Sequence, residues 1–237
     1  DEVLKQIQKL EAILADVKLV NNIFKDELKA LKDKFGDARR TRISADESGD
    51  LSVEDLVPHQ PMLVTLTTRN YVKRTPQESY RKQRRGGRGK TGMITREADA
   101  VQHSFVADTL TSVLFFTDRG RVFTLKVYEL PEAMPSAKGL PLANLLAMDP
   151  KETVSAVVTI ADFHAGTFLV MATRQGAVKK TSLADYSSVR RNGLIAIALS
   201  ETDDLTWVKV TDGHQDIVLV TEQGQSIRFP ESEIRAT

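Results

Sequence analysis

From residue 63 onward the chain repeats one phrase four times, and this repetition limits the fold more than any other feature. The phrase is an apolar run, a threonine, two polar residues, a glycine or asparagine, and a second run. It occupies residues 63–74, 113–124, 169–180 and 217–228. Thr67, Thr117, Thr173 and Thr221 each stand three residues before the turn residues Asn70, Gly120, Gly176 and Gly224. Apolar, β-branched runs that flank a residue tolerant of φ > 0 predict β-hairpins. Asparagine replaces glycine there at the least cost. The register persists beyond the hairpins. Ten residues after each turn come Tyr80, Leu130, Tyr186 and Ile234, and a loop glycine follows the first three turns, at Gly89, Gly139 and Gly193. Apolar segments come next, at 93–94, 140–146 and 194–199, and a further strand is expected before each following hairpin, at 104–106, 154–160 and 205–210. A unit of about four short strands in about 50 residues predicts an all-β, propeller-like array of four-stranded blades, each packed on its neighbours. The repeats fall at about 59–110, 111–165 and 166–214, with a partial repeat at 215–237, so an incomplete ring is expected.

Residues 1–36 follow a different rule. Val3, Ile7, Leu10, Leu14, Val17, Phe24, Leu28, Leu31 and Phe35 recur at alternating steps of four and three, with Asn21 the one polar residue in the register. Such a seam predicts a long coiled-coil helix, ended by Gly36, with Asn21 placed to fix register or partner number. No second heptad follows, so the stripe needs a partner from outside the chain. The chain opens at Asp1 within this pattern, so a longer parent is expected. Residues 37–58 read as a charged linker with an acidic patch, Asp46, Glu47, Asp50, Glu54 and Asp55, and room for a short strand near residues 41–43.

The densest chemistry lies in Gln83-Arg84-Arg85-Gly86-Gly87-Arg88-Gly89, followed by Lys90. Glu78 is the only acid between residues 69 and 96, against Arg69, Lys73, Arg74, Arg81, Lys82, Arg84, Arg85, Arg88, Lys90 and Arg96. Arginine presents a planar fork that fits phosphate oxygens and keeps its charge near neutral pH. Glycine lets the main chain turn with φ > 0 and approach a ligand closely. The repeats place this box in an inter-strand loop, in register with residues 134–139 and with 189–193, which carry Arg190 and Arg191. Further cations recur beside the hairpins: Lys73, Arg74, Arg121, Lys126, Lys179, Lys180 and Arg228. The formal net charge is only +1, so affinity for a polyanion must come from uneven placement. A stripe of cations around a rim suits a long polyanion, duplex DNA above all, better than a small ligand.

Other chemistry finds no support in the residues. Gly89-Lys90-Thr91 resembles the end of a phosphate-binding loop, but Arg84 stands where the first glycine of that loop belongs. His59, His103, His164 and His214 lack ligand spacing. The chain has no cysteine, which excludes disulfides and thiol chemistry and fits a reducing cytoplasm. No apolar run reaches membrane-spanning length. No catalytic residue, metal, cofactor or small-molecule substrate is expected in this chain.

Box and blades together resemble the C-terminal part of the A subunits of bacterial DNA gyrases, over essentially the whole chain. Gln83 to Gly89 match that family's box at every position, and residues 35–41 resemble its junction between coiled-coil helix and C-terminal domain. The resemblance implies a β-pinwheel whose blades exchange strands and whose basic perimeter wraps duplex DNA. It implies that Gln83, Arg84, Arg85, Gly86, Gly87, Arg88 and Gly89 are the wrapping motif. It further implies a parent that supercoils DNA negatively, partnered by B subunits and by a second A subunit, with ATP and Mg²⁺ used elsewhere. The family's pinwheel has about six blades, whereas this chain reaches only a fourth repeat. Tyr71, Tyr80, Tyr128 and Tyr186 do not lie in the family's nucleophile motif and read as blade packing. Three other readings stand beside this one: a propeller whose basic loops bind an acidic partner, an RNA-binding Arg-Gly-Gly element, and the C-terminal domain of the corresponding topoisomerase IV protein.

Overall fold

The computed structural model describes residues 1–37, 41, 52–80, 82, 84–87, 89, 91–95 and 98–237. Asp46, Glu47 and Asp50 of the expected acidic patch, and residues 42 and 43 of the expected short strand, lie outside them. The chain divides into two units, 1–50 and 51–237. In the first, the expected single helix is two: α1, Glu2–Ala15, and α2, Val17–Phe35. Asp16 between them is extended (φ −117°, ψ 107°), and its carboxylate accepts the Lys18 N–H at 2.9 Å. Aspartate caps a helix start far better than it sits inside one, so the helix breaks there. The heptad side chains from Val3 to Phe35 are exposed along both helices. No helix among the described residues is long and apolar enough to cross a membrane.

The second unit begins earlier than the sequence pattern implies. A four-residue helix, α3 (Val53–Leu56), carries a capping box in which Ser52 and Asp55 satisfy each other's N–H groups. Pro58 then offers its carbonyl to the Thr109 hydroxyl at 2.6 Å. Asp55 is thus a cap, and Glu54 reaches Lys126 at 3.6 Å.

All four hairpins form: β1 (Pro61–Thr67) with β2 (Tyr71–Pro76), β4 (Ser112–Thr117) with β5 (Arg121–Lys126), β8 (Phe168–Thr173) with β9 (Val178–Ser182), and β12 (Asp216–Val220) with β13 (Ser226–Pro230). The turn residues Asn70, Gly120, Gly176 and Gly224 all have positive φ, from 60° to 91°. The repeated threonine has a mechanical reason. Its carbonyl accepts the N–H of the turn residue, and its hydroxyl accepts the N–H one residue further on, at 3.0–3.3 Å in all four repeats. One side chain therefore satisfies the donor that a tight turn would otherwise leave unpaired.

The remaining strands are β3 (Val101–Asp108), β6 (Leu140–Pro141), β7 (Val154–Ile160), β10 (Leu194–Ile195) and β11 (Leu205–Thr211). The first blade has the order β3-β1-β2-β6 and the second β7-β4-β5-β10. Among the described residues the third is β11-β8-β9 and the last is β12-β13 alone, so the array they form is open. In both complete blades the fourth strand comes from the next repeat, directly after its loop glycine. Gly139 and Gly193 have φ of 81° and 76°. A Cβ on Gly139 would lie 2.4 Å from the Val72 carbonyl oxygen, and one on Gly193 2.5 Å from the Phe123 ring. Met93 and Ile94, the corresponding segment of the first repeat, form no strand; among the described residues there is no hairpin of an earlier repeat for them to pair with.

Inner blades are covered on both faces. On β4, Val113 and Phe115 enter the core shared with the first blade, while Leu114 and Phe116 enter the core shared with the third. A strand buried on both sides reads as an unbroken apolar run. In β12, by contrast, Val218 and Val220 are exposed.

The seams between blades also hold charge. Glu152 is fully buried, accepts from the Thr117 hydroxyl at 2.9 Å and pairs with Arg121 at 3.1 Å. The Asn70 amide donates to the Glu152 carbonyl at 2.9 Å and its oxygen accepts the Val154 N–H at 3.1 Å. The asparagine thus replaces glycine in the turn and also bonds to the next blade. At the third seam Lys180 pairs with fully buried Glu231 at 3.1 Å. Burial alone would raise the Glu231 carboxyl, but bonds from Thr211, Lys180 and the Gln215 N–H outweigh it and hold it below its ordinary 4.5.

Two outcomes follow for stability. Thr117→Val strips Glu152 and the Arg121 N–H of a partner inside the seam and should cost about 1–3 kcal/mol by urea denaturation, whereas Thr221→Val, at an exposed turn, should cost less than about 1 kcal/mol. Glu231 contributes stability that is complete above pH 4.5 and lost as pH falls through its lowered folded value. Wild type should therefore lose stability faster than Glu231→Gln in urea titrations run from about pH 6 down to about pH 3.

Candidate nucleic-acid interface

Within the basic box, Arg84 to Gly87 form a β-turn closed by the Gly87 N–H on the Arg84 carbonyl at 2.9 Å. Gly86 is its third residue, with φ of 87°, the sign a type II turn requires. Arg84 and Arg85 are exposed on this turn, and Lys82 is exposed just before it. Gln83, Arg88 and Lys90 lie outside the described residues. Gly89 is exposed, and a Cβ there would meet nothing within 4 Å, unlike its counterparts Gly139 and Gly193.

The loop of the second repeat runs along β2. The Ala133 N–H donates to the Arg74 carbonyl at 3.0 Å, and the Thr75 hydroxyl donates to the Ala133 carbonyl at 3.0 Å. Lys138 then lies 3.6 Å from the centroid of the Tyr71 ring. The loop of the third repeat lies against β5, where Arg121 donates to the Asn192 carbonyl at 3.1 Å, with Arg190 and Arg191 exposed. Arg191 pairs with Glu129 across a cleft lined by Lys126, Tyr128 and Asn192. β2 and β5, equivalent strands of successive blades, therefore carry the loops of the second and third repeats along equivalent edges. A phosphate-binding surface needs exposed cations with room around them; Arg84, Arg85, Arg190 and Arg191 are exposed on the loops of the first and third repeats, whereas Lys138 in the second is half-buried.

Several cations expected on this surface are elsewhere. Lys73 is fully buried, and its ammonium donates to the carbonyls of Gly92 at 2.8 Å, Met134 at 3.1 Å, Ala137 at 2.9 Å and to that of Pro135. Burial lowers its pKa from the ordinary lysine value. Arg74 is mostly covered, bonded through Nε to the Leu130 carbonyl at 2.9 Å and paired with Glu132 at 3.2 Å. Arg121 is bound to Glu152 and to the Asn192 carbonyl at 3.1 Å, and lies 4.6 Å from the Phe123 ring centroid. Lys180 is buried between Glu231 and the Phe168 ring. These four hold seams and leave no charge free for a ligand. On the pleated strands β2, β5 and β9 they bond to the loops and segments that cover those strands. Lys179 is half-buried and donates to the Ala196 carbonyl at 2.8 Å, and Arg228 is exposed but paired with Asp216.

The hairpin tips add Arg69, Arg119 and Arg174, all exposed. The sequence holds a signal for them. They occupy the two polar positions between the repeated threonine and the turn residue, which a hairpin always turns outward.

Comparison with known proteins agrees with this architecture. A family model described as DNA gyrase C-terminal domain, beta-propeller, matches residues 61–108, 111–161, 167–212 and 215–237, so its four segments coincide with the four hairpin repeats. The DNA gyrase A protein of Clostridium acetobutylicum is 43% identical over 235 residues, covering 99% of this chain and 28% of that protein. Its Staphylococcus aureus counterpart is 43% identical over 236 residues, covering 99% and 27%. The chain thus spans little more than a quarter of these relatives. Among solved structures, the C-terminal domain of a DNA topoisomerase IV superposes with a TM-score of 0.66 at 31% identity, over 76% of this chain and 55% of that one. A DNA gyrase A C-terminal domain gives 0.60 at 19% identity over 75% and 57%, a likeness of fold alone. With the family model matching all four repeats and the blades folded as that family's domain folds, this chain belongs to the DNA gyrase C-terminal domain family.

Proposed function

We propose that this chain is the DNA-wrapping part of a gyrase A protein. Duplex DNA would run over the box loop and over the loop of Arg190 and Arg191, held through its phosphates with little regard to sequence. One observation supports this above the others: exposed arginines, Arg84 and Arg85 in the first repeat and Arg190 and Arg191 in the third, stand on loops at equivalent places in the repeat. Curving a duplex costs bending energy, and only repeated contacts along its path offset that cost. The parent would be a type II topoisomerase that introduces negative supercoils using ATP and Mg²⁺ bound elsewhere. Its partners would be gyrase B subunits and a second copy of itself, in the bacterial cytoplasm. The chain itself would act without catalytic groups. Gln83, Arg88, Gly89 and Lys90 would share in the grip with Arg84, Arg85, Gly86 and Gly87.

Gel shifts of a duplex fragment across a salt series test the electrostatic account. Neutralising about six phosphates gives a log–log slope near −5, and a flat response would remove the proposal. Arg84→Ala with Arg85→Ala should make the slope shallower by about 1.8, two phosphate contacts' worth, with the thermal unfolding curve unchanged. Ligation of nicked plasmid in the presence of the chain should shift the topoisomer distribution, and the double variant should shift it less. Equal displacement by structured RNA and by duplex would favour the Arg-Gly-Gly reading.

A further inference from the structure

The short segment after each loop glycine is anchored differently in the three repeats that have one. In the second and third, it is laddered to the preceding hairpin, as β6 on β2 and β10 on β5. In the first, residues 91–95 have no ladder. Their described anchor is the Gly92 carbonyl, which accepts from Lys73 Nζ at 2.8 Å and from the Tyr80 hydroxyl at 3.4 Å. The same geometry recurs in the third repeat. Lys179, like Lys73, stands three residues after its turn, and Ala196, like Gly92, three residues after its loop glycine; Lys179 Nζ donates to the Ala196 carbonyl at 2.8 Å. Lys73 does more, because its other bonds go to the carbonyls of Met134, Pro135 and Ala137 in the second repeat's loop. A fully buried ammonium with no carboxylate partner among the described residues would be costly unless its donors were used, and backbone carbonyls use them here.

We infer that Lys73 is a positioning residue for the basic box: it pins the return limb of that loop to the neighbouring repeat, so that Arg84 and Arg85 leave the blade at a fixed place, without itself touching DNA. This rests on the reading of the box as a DNA-binding loop, and the test separates the two.

The full chain is compared with Lys73→Met, with the Arg84→Ala/Arg85→Ala double variant, and with the triple variant. Limited trypsin digestion, followed by mass spectrometry at Arg84 and Arg85, reads the loop directly. Lys73→Met should be cut there several-fold faster, with the blades still resistant; unchanged cleavage overturns the inference. Duplex binding reads the consequence. Lys73→Met should weaken it by on the order of tenfold, like the double variant, and the triple variant should be no weaker than the double. A merely structural role would give additive losses, and that result overturns the inference, as would wild-type affinity in Lys73→Met beside a weakened double variant. If the double variant itself binds as wild type does, the DNA reading of the box fails, and cleavage alone decides for or against the anchor. Should Lys73→Met not fold, Lys73→Gln, whose amide keeps two N–H donors, takes its place; if both unfold as a whole, Lys73 is a core residue and the loop-specific role is overturned.

Discussion

Each of the two complete blades is finished by two residues borrowed from the next repeat, and the array depends on that loan. The donated strand reaches its place only where the chain presses against the preceding hairpin, close enough that a Cβ on Gly139 or Gly193 would collide with Val72 or Phe123. Two residues give few ladder bonds, each contributing about 1 kcal/mol net. The shared cores contribute far more, at about 1.5–3 kcal/mol for each large apolar side chain buried. The donated strand therefore does little of the binding between blades. It sets the register in which the apolar faces meet, and it draws each repeat's loop along the edge of the blade before it.

That arrangement explains why basic residues here do two unlike things. Lys73 and Arg74 on β2, Arg121 on β5 and Lys180 on β9 face segments that cover those strands, and they bond to them. Arg74 pairs with Glu132, Arg121 with Glu152 and Lys180 with Glu231, while Lys73 uses backbone carbonyls alone. Cations on the covering loops themselves, and on the hairpin tips, face outward. The difference lies in what covers each strand, since lysine and arginine serve in both settings. A surface made this way has its charge on loops and its rigidity in the blades beneath, so that the spacing of the charges is inherited from the spacing of the blades.

Much of this is legible in the chain itself. The four hairpins, their turn residues and the extra strand before each next hairpin follow from period, apolar runs and turn chemistry, which are local. The box can be placed in a loop because the repeats supply its counterparts. What the pattern misleads on has local causes too. A heptad runs straight through Asp16, yet the cap formed by that carboxylate breaks the helix. Lys73 and Lys180 read in the sequence like the exposed cations of the tips and loops, because a strand shows which side chains alternate and not which edge a distant loop will cover.

Sequence by itself determined the unit of construction: a threonine-pinned hairpin, a loop glycine and a further strand, with one loop crowded with arginine and glycine. These are statements about neighbours in the chain, and steric and hydrogen-bonding rules settle them within a few residues. Tertiary structure alone decided which repeat completes which blade, and therefore which cations are sealed in seams and which stay in water. That choice is made by contacts between residues distant in the chain, such as Lys73 with Ala137 or Asn70 with Glu152, where burial reverses the role of a charge and no local pattern records it.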